Sequence, residues 1–392
     1  MIRHLLRLIW NRKRKNSLLI IEVCLAFLVL FAVFSIAVYN WQNYKKPLGY
    51  DYENVWTAYT FWEEDKNNTE IKAQQRNIKQ AMLSFPEVQK AAYASQNVPF
   101  ANSNMLWGID WNDRSINFNR FVVDPDFFDL MEMEIIKGRV FTPEDKSIGR
   151  YAVINTEMEK ILLPDGSSAI NTKIPLDNQE DIEVIGVIDT YRYQNEFTEP
   201  SPSLFLMYDY YSKGHPEEAL VMKVSSDAGP AFEEKLLKEL HSMSPGYHFT
   251  LSIMNDERLN RQREELMPIT IFLIVAAFLI INVALGLFGV LWYNVNSRRS
   301  EIGLRRAMGA SVSSIVKQII QETLLLVGIA MTIGTLIAIH FPILKVYDVS
   351  NQVYVWGVLG AATFLGVIVF VCAWYPGRKA SEIQPAIALH EN

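Results

Sequence analysis

Several kinds of side chain here could do chemistry, and most are arranged for none. The six histidines stand at positions 4, 215, 241, 248, 340 and 390. None forms H-E-x-x-H or a Cys/His pattern that would gather ligands around one metal ion. No G-x-S-x-G marks a nucleophile elbow. No G-x-x-x-x-G-K-[ST] occurs, which excludes nucleotide hydrolysis by a P-loop within this chain. The carboxylates are many but unpatterned, and they read as solvated surface. What remains is a cluster of arginines. Residues 297–311 read S-R-R-S-E-I-G-L-R-R-A-M-G-A-S and gather Arg298, Arg299, Arg305 and Arg306 beside Glu301. Such a segment is built to make contacts rather than to react.

What must position this segment is a set of apolar runs. Four occur, at 18–39, 269–293, 324–341 and 353–374, each close to the roughly 20 residues that cross a bilayer core as a helix. Residues 1–17 carry Arg3, Arg7, Arg12, Lys13, Arg14 and Lys15 and no acid, and Arg378 and Lys379 follow the last run. Positive flanks stay cytoplasmic, so both termini and the 294–323 loop are expected inside and residues 41–267 outside. That outer segment holds 23 Lys/Arg and 37 Asp/Glu, a net charge of −14 against +8 for the remainder. Its acidity hints weakly at cationic ligands. The first run is expected to be an uncleaved anchor, although Ser35-Ile36-Ala37 mimics a cleavage site. Cys24 and Cys372 both fall in apolar runs, so the outer domain is expected to hold together without disulfides.

Along the chain, Ile2, Leu5, Leu6 and Ile9 suit a helix lying in the inner interface (1–17) before the first span (18–40). Glu22, early in that span, is expected to reach the nearby headgroups. Residues 55–61 read as a strand. Ile71, Ile78, Met82 and Phe85 share a helical face that Pro86 ends, and residues 88–95 follow as a strand. The same order recurs later: residues 219–224, a helix with Phe232, Leu236, Leu237 and Leu240 on one face, then alternation through Tyr247, Phe249, Leu251 and Ile253. The expected fold is therefore four transmembrane helices plus an α+β extracytoplasmic domain. Its ferredoxin-like lobe (41–98 and 217–254), porter-type in the family resemblance given below, is interrupted by an inserted β-rich lobe (99–216). A charged stalk helix (255–267) leads into the second span (268–293). The coupling loop (294–323), third span (324–341), outer loop (342–352), fourth span (353–375) and tail (376–392) complete the chain.

Within the loop, residues 300–308 can form a short helix that Gly309 ends in a left-handed cap. Ser311 or Ser313 can cap the next helix. Leu304, Ala307 and Met308 share an arc, whereas Ile302 falls nearer Arg306. Physics alone leaves two readings open: a positive flank that only fixes topology, or a contact that passes work across the membrane.

E-I-G-L-R-R-A-M-G-A-S resembles the cytoplasmic signature of the FtsX/MacB-like ABC transporter permeases. The tail Y-P-G-R-K-A-S-E-I-Q-P-A-I-A-L-H-E resembles that family's C-terminal pattern, with His390 where arginine is more usual. P-L-G-Y-D-Y-E-N-V, F-F-D-L-M-E-M-E-I-I-K-G-R-V-F and I-E-V-I-G-V-I-D resemble its periplasmic core domain. The resemblance implies a non-catalytic, dimeric permease in a bacterial inner membrane, formed with a second copy or a paralogue. Cytoplasmic ATPase subunits would be separate, holding the ATP and Mg; no cofactor is expected in this chain, and no nucleic-acid partner. The 300–309 helix would couple to the ATPase, with Glu301, Ile302, Gly303, Arg305, Arg306 and Gly309 at the contact. A periplasmic adaptor and outer-membrane channel are further partners that such systems can use. ATP-driven movement of the outer domain would export or extract a periplasmic or envelope substrate. Lipoprotein release and regulation of a cell-wall hydrolase are related alternatives, and a membrane-anchored sensor or adhesion protein is a reading of another class.

Overall fold

The computed structural model describes residues 13–61, 68–147, 150–175, 181–207, 217–244, 248–297, 302, 304–305, 307–344 and 349–381. The expected interfacial helix at 2–10 and the C-terminal tail with His390 lie outside them. The chain forms two compact units, one of residues 1–42 and 266–392, the other of residues 43–265.

The second unit, termed the ectodomain for its expected outer position, is built on one mixed sheet. Its strands are β1 (Val55–Phe61), β2 (Val88–Ser95), β3 (Leu106–Trp111), β4 (Arg114–Val123), β5 (Ile135–Gly138), β6 (Tyr151–Asn155), β7 (Lys173–Ile174), β8 (Ile182–Ile188), β9 (Ser203–Met207), β10 (Glu217–Val224) and β11 (His248–Ile253). The order is β11-β1-β10-β2-β4-β9-β6-β8-β5, with β3 on β4 and β7 on β8. The first four positions are all antiparallel and carry two helices, α2 (Asn68–Leu83) and α5 (Pro230–Met243). They form the expected ferredoxin-like arrangement, with the first and last strands of the two units paired side by side.

The insertion does not stand apart. It extends the same sheet through a seam of one registered pair, Ala94 with Val123. Side chains supply what the short ladder lacks. Ser95 Oγ accepts from Val122 N (3.1 Å), Asn97 Nδ2 donates to Arg120 O (2.8 Å), and Asp124 Oδ2 accepts from Tyr93 N (2.9 Å). Beyond the seam, β4–β9 and β6–β8 are parallel. The β3–β4 hairpin turns at Asn112 and Asp113, both at positive φ (48° and 59°), as a two-residue turn matching strand twist requires.

Strand alternation feeds two cores. Trp56, Leu220, Met222, Leu204 and Leu206 join Ile78, Met82, Phe232 and Leu236 on the helix side. Val55, Ala219, Val221, Phe205 and Met207 point the other way, to Phe121, Phe127, Phe128, Tyr191 and Tyr193. The stretch covering this second face contains the short helix α3 (Phe127–Leu130), and carboxylates two or three residues apart along it are pinned by lysines. Lys79 meets Asp124 and Asp126 (both 2.8 Å), Lys90 meets Asp129 (2.6 Å), and Lys223 meets Asp51 and Glu132. Farther on, α4 (Thr156–Leu162) is capped by Asn155, whose Oδ1 accepts from Met158 N at 3.0 Å.

The first unit holds the membrane helices. Four helices among the described residues are long and apolar enough to cross a membrane. They are α1 (Lys13–Tyr44), α6 (Met254–Ser297, with Pro268 inside it), α7 (Val312–Ala338) and α9 (Asn351–Ser381); the short α8 (His340–Ile343) follows α7. In this unit α1 is the hub. Leu19, Val23 and Ala26 pack with Val283, Leu287, Leu326, Val327 and Val369, while Phe27, Leu30 and Phe31 pack with Ala276, Ala338, Ala361 and Leu365. Its rings occupy gaps left by glycines. A Cβ on Gly334 would lie 2.5 Å from Phe27, one on Gly360 2.8 Å from Phe34, and one on Gly357 2.1 Å from Ser35 Oγ. Glu22 is half-buried, its carboxylate 3.2 Å from where a Cβ on Gly286 would be. By contrast α6 leaves Ile271, Ile274, Phe278, Ile281 and Leu285 more than half exposed, a surface suited to hydrocarbon.

Two outcomes follow from this packing. Gly334→Leu should lower the thermal midpoint in detergent, since overpacking costs about 1–3 kcal/mol. Gly328→Ala, where a Cβ meets nothing within 4 Å, should keep or raise the midpoint, since alanine is the better helix former. In the ectodomain, the Arg139 guanidinium donates twice to the buried Asp145 carboxylate and holds its pKa below the ordinary aspartate value. A depressed carboxylate stabilises the fold above its unfolded-state pKa and loses that contribution as pH falls through its folded pKa. Urea denaturation should therefore find Asp145→Asn less stable than the parent at neutral pH, with the difference shrinking as pH falls below the ordinary aspartate pKa and vanishing below the depressed folded value.

Candidate functional site

The basic segment is organised by the helix that follows it. Ser311 caps α7: its backbone is extended and its side chain accepts from Ser314 N (3.3 Å), while Ser314 Oγ donates to Ser311 O (2.8 Å). Of the two serines considered as caps, Ser311 takes the role. Before it the chain is helical, with Met308 N donating to Leu304 O at 3.0 Å. That helix ends at Gly309, whose φ is +95°. Ala310 N reaches back to Arg305 O at 3.0 Å, the six-to-one bond of a Schellman turn. A Cβ on Gly309 would touch nothing within 4 Å, so glycine is needed for the left-handed dihedral rather than for space.

Two side chains fasten the segment to α7. Ile302 is 7% exposed and packs with Ile315 and Ile319. Arg305 Nη1 donates to Gln318 Oε1, and Gln318 Nε2 donates to Glu322 Oε1, both at 3.0 Å. The arc of Leu304, Ala307 and Met308 is left exposed, Leu304 at 49% and Met308 at 73%. Ile302 broke the amphipathic pattern in the sequence because it serves the inward contact while the arc serves the outward face. Ile302, Arg305 and Gly309 thus share one tight turn. Glu301, Gly303 and Arg306 lie outside the described residues. Apolar side chains beside an arginine, presented on a rigid turn, can anchor a protein partner. No group of three or more His, Cys, Asp or Glu side chains among the described residues could hold a metal ion.

The chain matches two family descriptions, in order. Residues 18–238 match the MacB-like periplasmic core domain, and residues 273–385 match the FtsX-like permease C-terminal region. The chain belongs to the FtsX/MacB-like family of ABC transporter permeases. Among its relatives is the macrolide export ATP-binding/permease protein MacB of Neisseria gonorrhoeae, 24% identical over 326 residues, covering 78% of this chain and 48% of the relative. The uncharacterized ABC transporter permease YvrN of Bacillus subtilis is 25% identical over 284 residues, 68% of each chain. The chain therefore spans about half the length of the MacB proteins it matches. A solved structure of the periplasmic region of MacB from Actinobacillus actinomycetemcomitans aligns with 56% of this chain and 98% of its own, at 14% identity and a TM-score of 0.39.

A second constellation in this permease, within the ectodomain unit, escaped the sequence reading. The charged stalk helix was expected without any named partners; in the structure Arg258 pairs with the buried Glu196, and Arg261 donates to Phe100 O and Ala101 O. A polar cavity of about 270 Å³ lies there, lined in part by Asn102, Asn104, Tyr193, Gln194, Arg261 and Glu265. Burial raises the Tyr193 pKa, which keeps its hydroxyl protonated among the side chains of Asn104, Asn119 and Gln194. The faint signal for this site was Y-R-Y-Q-N-E-F-T-E at 191–199, a loop dense in aromatic and amide side chains.

Gly309→Val should strain the Schellman turn by about 1–2 kcal/mol without touching a neighbour. Hydrogen exchange at Met308 and Ala310 should accelerate severalfold, while the centre of α7 keeps its protection.

Proposed function

We propose that this permease is the membrane-spanning subunit of a mechanotransmission-type ABC transporter. ATP hydrolysis in a separate cytoplasmic ATPase moves the ectodomain, which exports or extracts a periplasmic or envelope substrate without carrying it through the bilayer. The observation that carries this reading is the turn at 302–311. It is tied inward by Ile302 and Arg305, and it turns Leu304, Ala307 and Met308 outward.

Several further points support it. In this scheme ATP and Mg are held by the partner ATPase. The names of the MacB relatives and of the pyoverdine export protein PvdT of Pseudomonas fluorescens join ATP binding to permease, whereas YvrN is named as a permease. Positive flanks orient both termini and the 297–311 segment toward the cytoplasm, where such an ATPase would dock. Glu301, Arg305 and Arg306 then contact the ATPase, and Gly303 and Gly309 allow close fit and termination of the coupling helix. The wide exposed apolar face of α6 gives room for lipid and for a second permease copy or paralogue. A periplasmic adaptor and outer-membrane channel complete the assembly in a tripartite form of the same scheme.

The test is ATP turnover by the P-loop ATPase that co-purifies with the chain, measured in reconstituted membranes. Glu301→Ala combined with Arg305→Ala should insert normally but lower stimulation about tenfold, the scale expected when interface anchors are removed. Full stimulation in the double variant would overturn the coupling role. Absence of any co-purifying ATPase would favour a sensor or adhesion protein.

A further inference from the structure

Both long helices that border the outer segment contribute residues to the ectodomain unit: Asn43 and Tyr44 from α1, and Met254 through Glu265 from α6. One segment, 192–199, grips both. Toward α1, Asn43 Nδ2 donates to Phe197 O at 2.7 Å, and the Tyr44 and Phe197 rings stack with centroids 6.1 Å apart. Just past α1, Lys46 O accepts from Arg192 Nη1 at 2.8 Å. Toward α6, the two carboxylate oxygens of Glu196 are divided between Arg258 Nε and Gln262 Nε2, and Asn195 Nδ2 donates to Glu265 Oε1 at 3.0 Å. Arg258, Gln262 and Glu265 recur every three or four residues and so share one helix face.

The strap is itself rigid. Arg192 is 1% exposed and donates to the backbone carbonyls of Glu196 and Thr198 as well as Lys46. Asn195 Oδ1 accepts from Phe197 N and Thr198 N. Gly49 lets the chain run past the start of the strap: its φ is +87°, and a Cβ there would fall 1.7 Å from Thr190 O. Glu196 is the joint of this arrangement. Its side chain holds α6, and its carbonyl holds the arginine that grips the chain leaving α1. With the Glu196 side chain only 8% exposed, deleting it removes the carboxylate of Arg258 and leaves that guanidinium with the Tyr52 ring and Asn255 Oδ1, so the strap loses its ionic hold on α6.

We propose that Glu196 is a positioning residue that makes the outer ends of α1 and α6 move as one body. A displacement arriving along either helix then reaches the ectodomain as a common movement. The purpose of the joint rests on the mechanotransmission reading; its existence does not.

The experiment uses the full chain in nanodiscs without any ATPase. Cys24 and Cys372 are replaced by alanine, spin labels are attached at Lys45→Cys and Arg263→Cys, and distances are read by double electron–electron resonance. The parent should give one narrow distribution. Glu196→Ala should broaden it about twofold through local opening, in an ectodomain that still unfolds in one cooperative transition, and Glu196→Asp should restore much of the order. Asn43→Ala, which removes the hydrogen bond to Phe197 O on the α1 side, should broaden it as well and decides the matter if Glu196→Ala fails to fold. Parent-like distributions in the Asn43 variant and in every folded Glu196 variant would overturn the proposal. The coupling reading fails separately, through ATP turnover in the Glu301 and Arg305 variants, since no nucleotide enters the distance measurement.

Discussion

Everything in the ectodomain depends on both faces of a single sheet being covered. Strand side chains alternate, and here neither set is polar: Leu204 and Leu206 enter one core while Phe205 and Met207 enter the other. An antiparallel sheet can leave one face in water, but a mixed sheet with apolar residues on both cannot. The helices α2 and α5 cover one side of the ferredoxin-like part. The other side needs a second layer, and the stretch from Asp124 to Met133 contributes to it with Phe127, Phe128, Leu130 and Met131. Its carboxylates at 124, 126, 129 and 132 fall on lysines of α2, β2 and β10. Charge at the rim sets the register of this cover, and aromatic burial inside holds it down.

Much of this was legible in the sequence. The apolar periodicity of 71–85 and 232–240 marked α2 and α5, and alternation at 247–253 marked β11, because each of these elements has a distinct polar side. Gly309 and Ser311 were legible because caps require particular residue types. The joined sheet was not. Strands buried on both faces lose their alternation, and the parallel pairs β4–β9 and β6–β8 link residues more than 30 positions apart. A seam of one registered pair leaves no sequence signature at all. The stalk helix itself was legible, since Met254–Ser297 is one helix, but its partner was not: the spacing of Arg258 and Gln262 on one face is the same whether that face meets water or Glu196.

Family membership and geometry bear on different questions. Membership identifies a permease and its two matched regions. Geometry separates the faces of the basic turn, where a hydrophobic pin and an arginine hydrogen bond look inward and an apolar arc looks outward. A positive flank that only fixed topology would need the arginines. It would not need a Schellman turn, a serine cap and a buried isoleucine within ten residues.

The glycine seats of the membrane unit have a kinetic meaning. With Phe27 lodged at Gly334 and Phe34 at Gly360, α1 resembles a rack held by pawls. It cannot creep along α7 and α9 by fractions of a residue, because each ring would have to climb out of its notch. Sliding would require a jump of about one helical turn, 5.4 Å, whereas tilting leaves every ring seated. Of the four apolar helices, α6 is the one without such notched aromatic contacts among the described residues. Within this unit α1 is therefore keyed to α7 and α9 by shape.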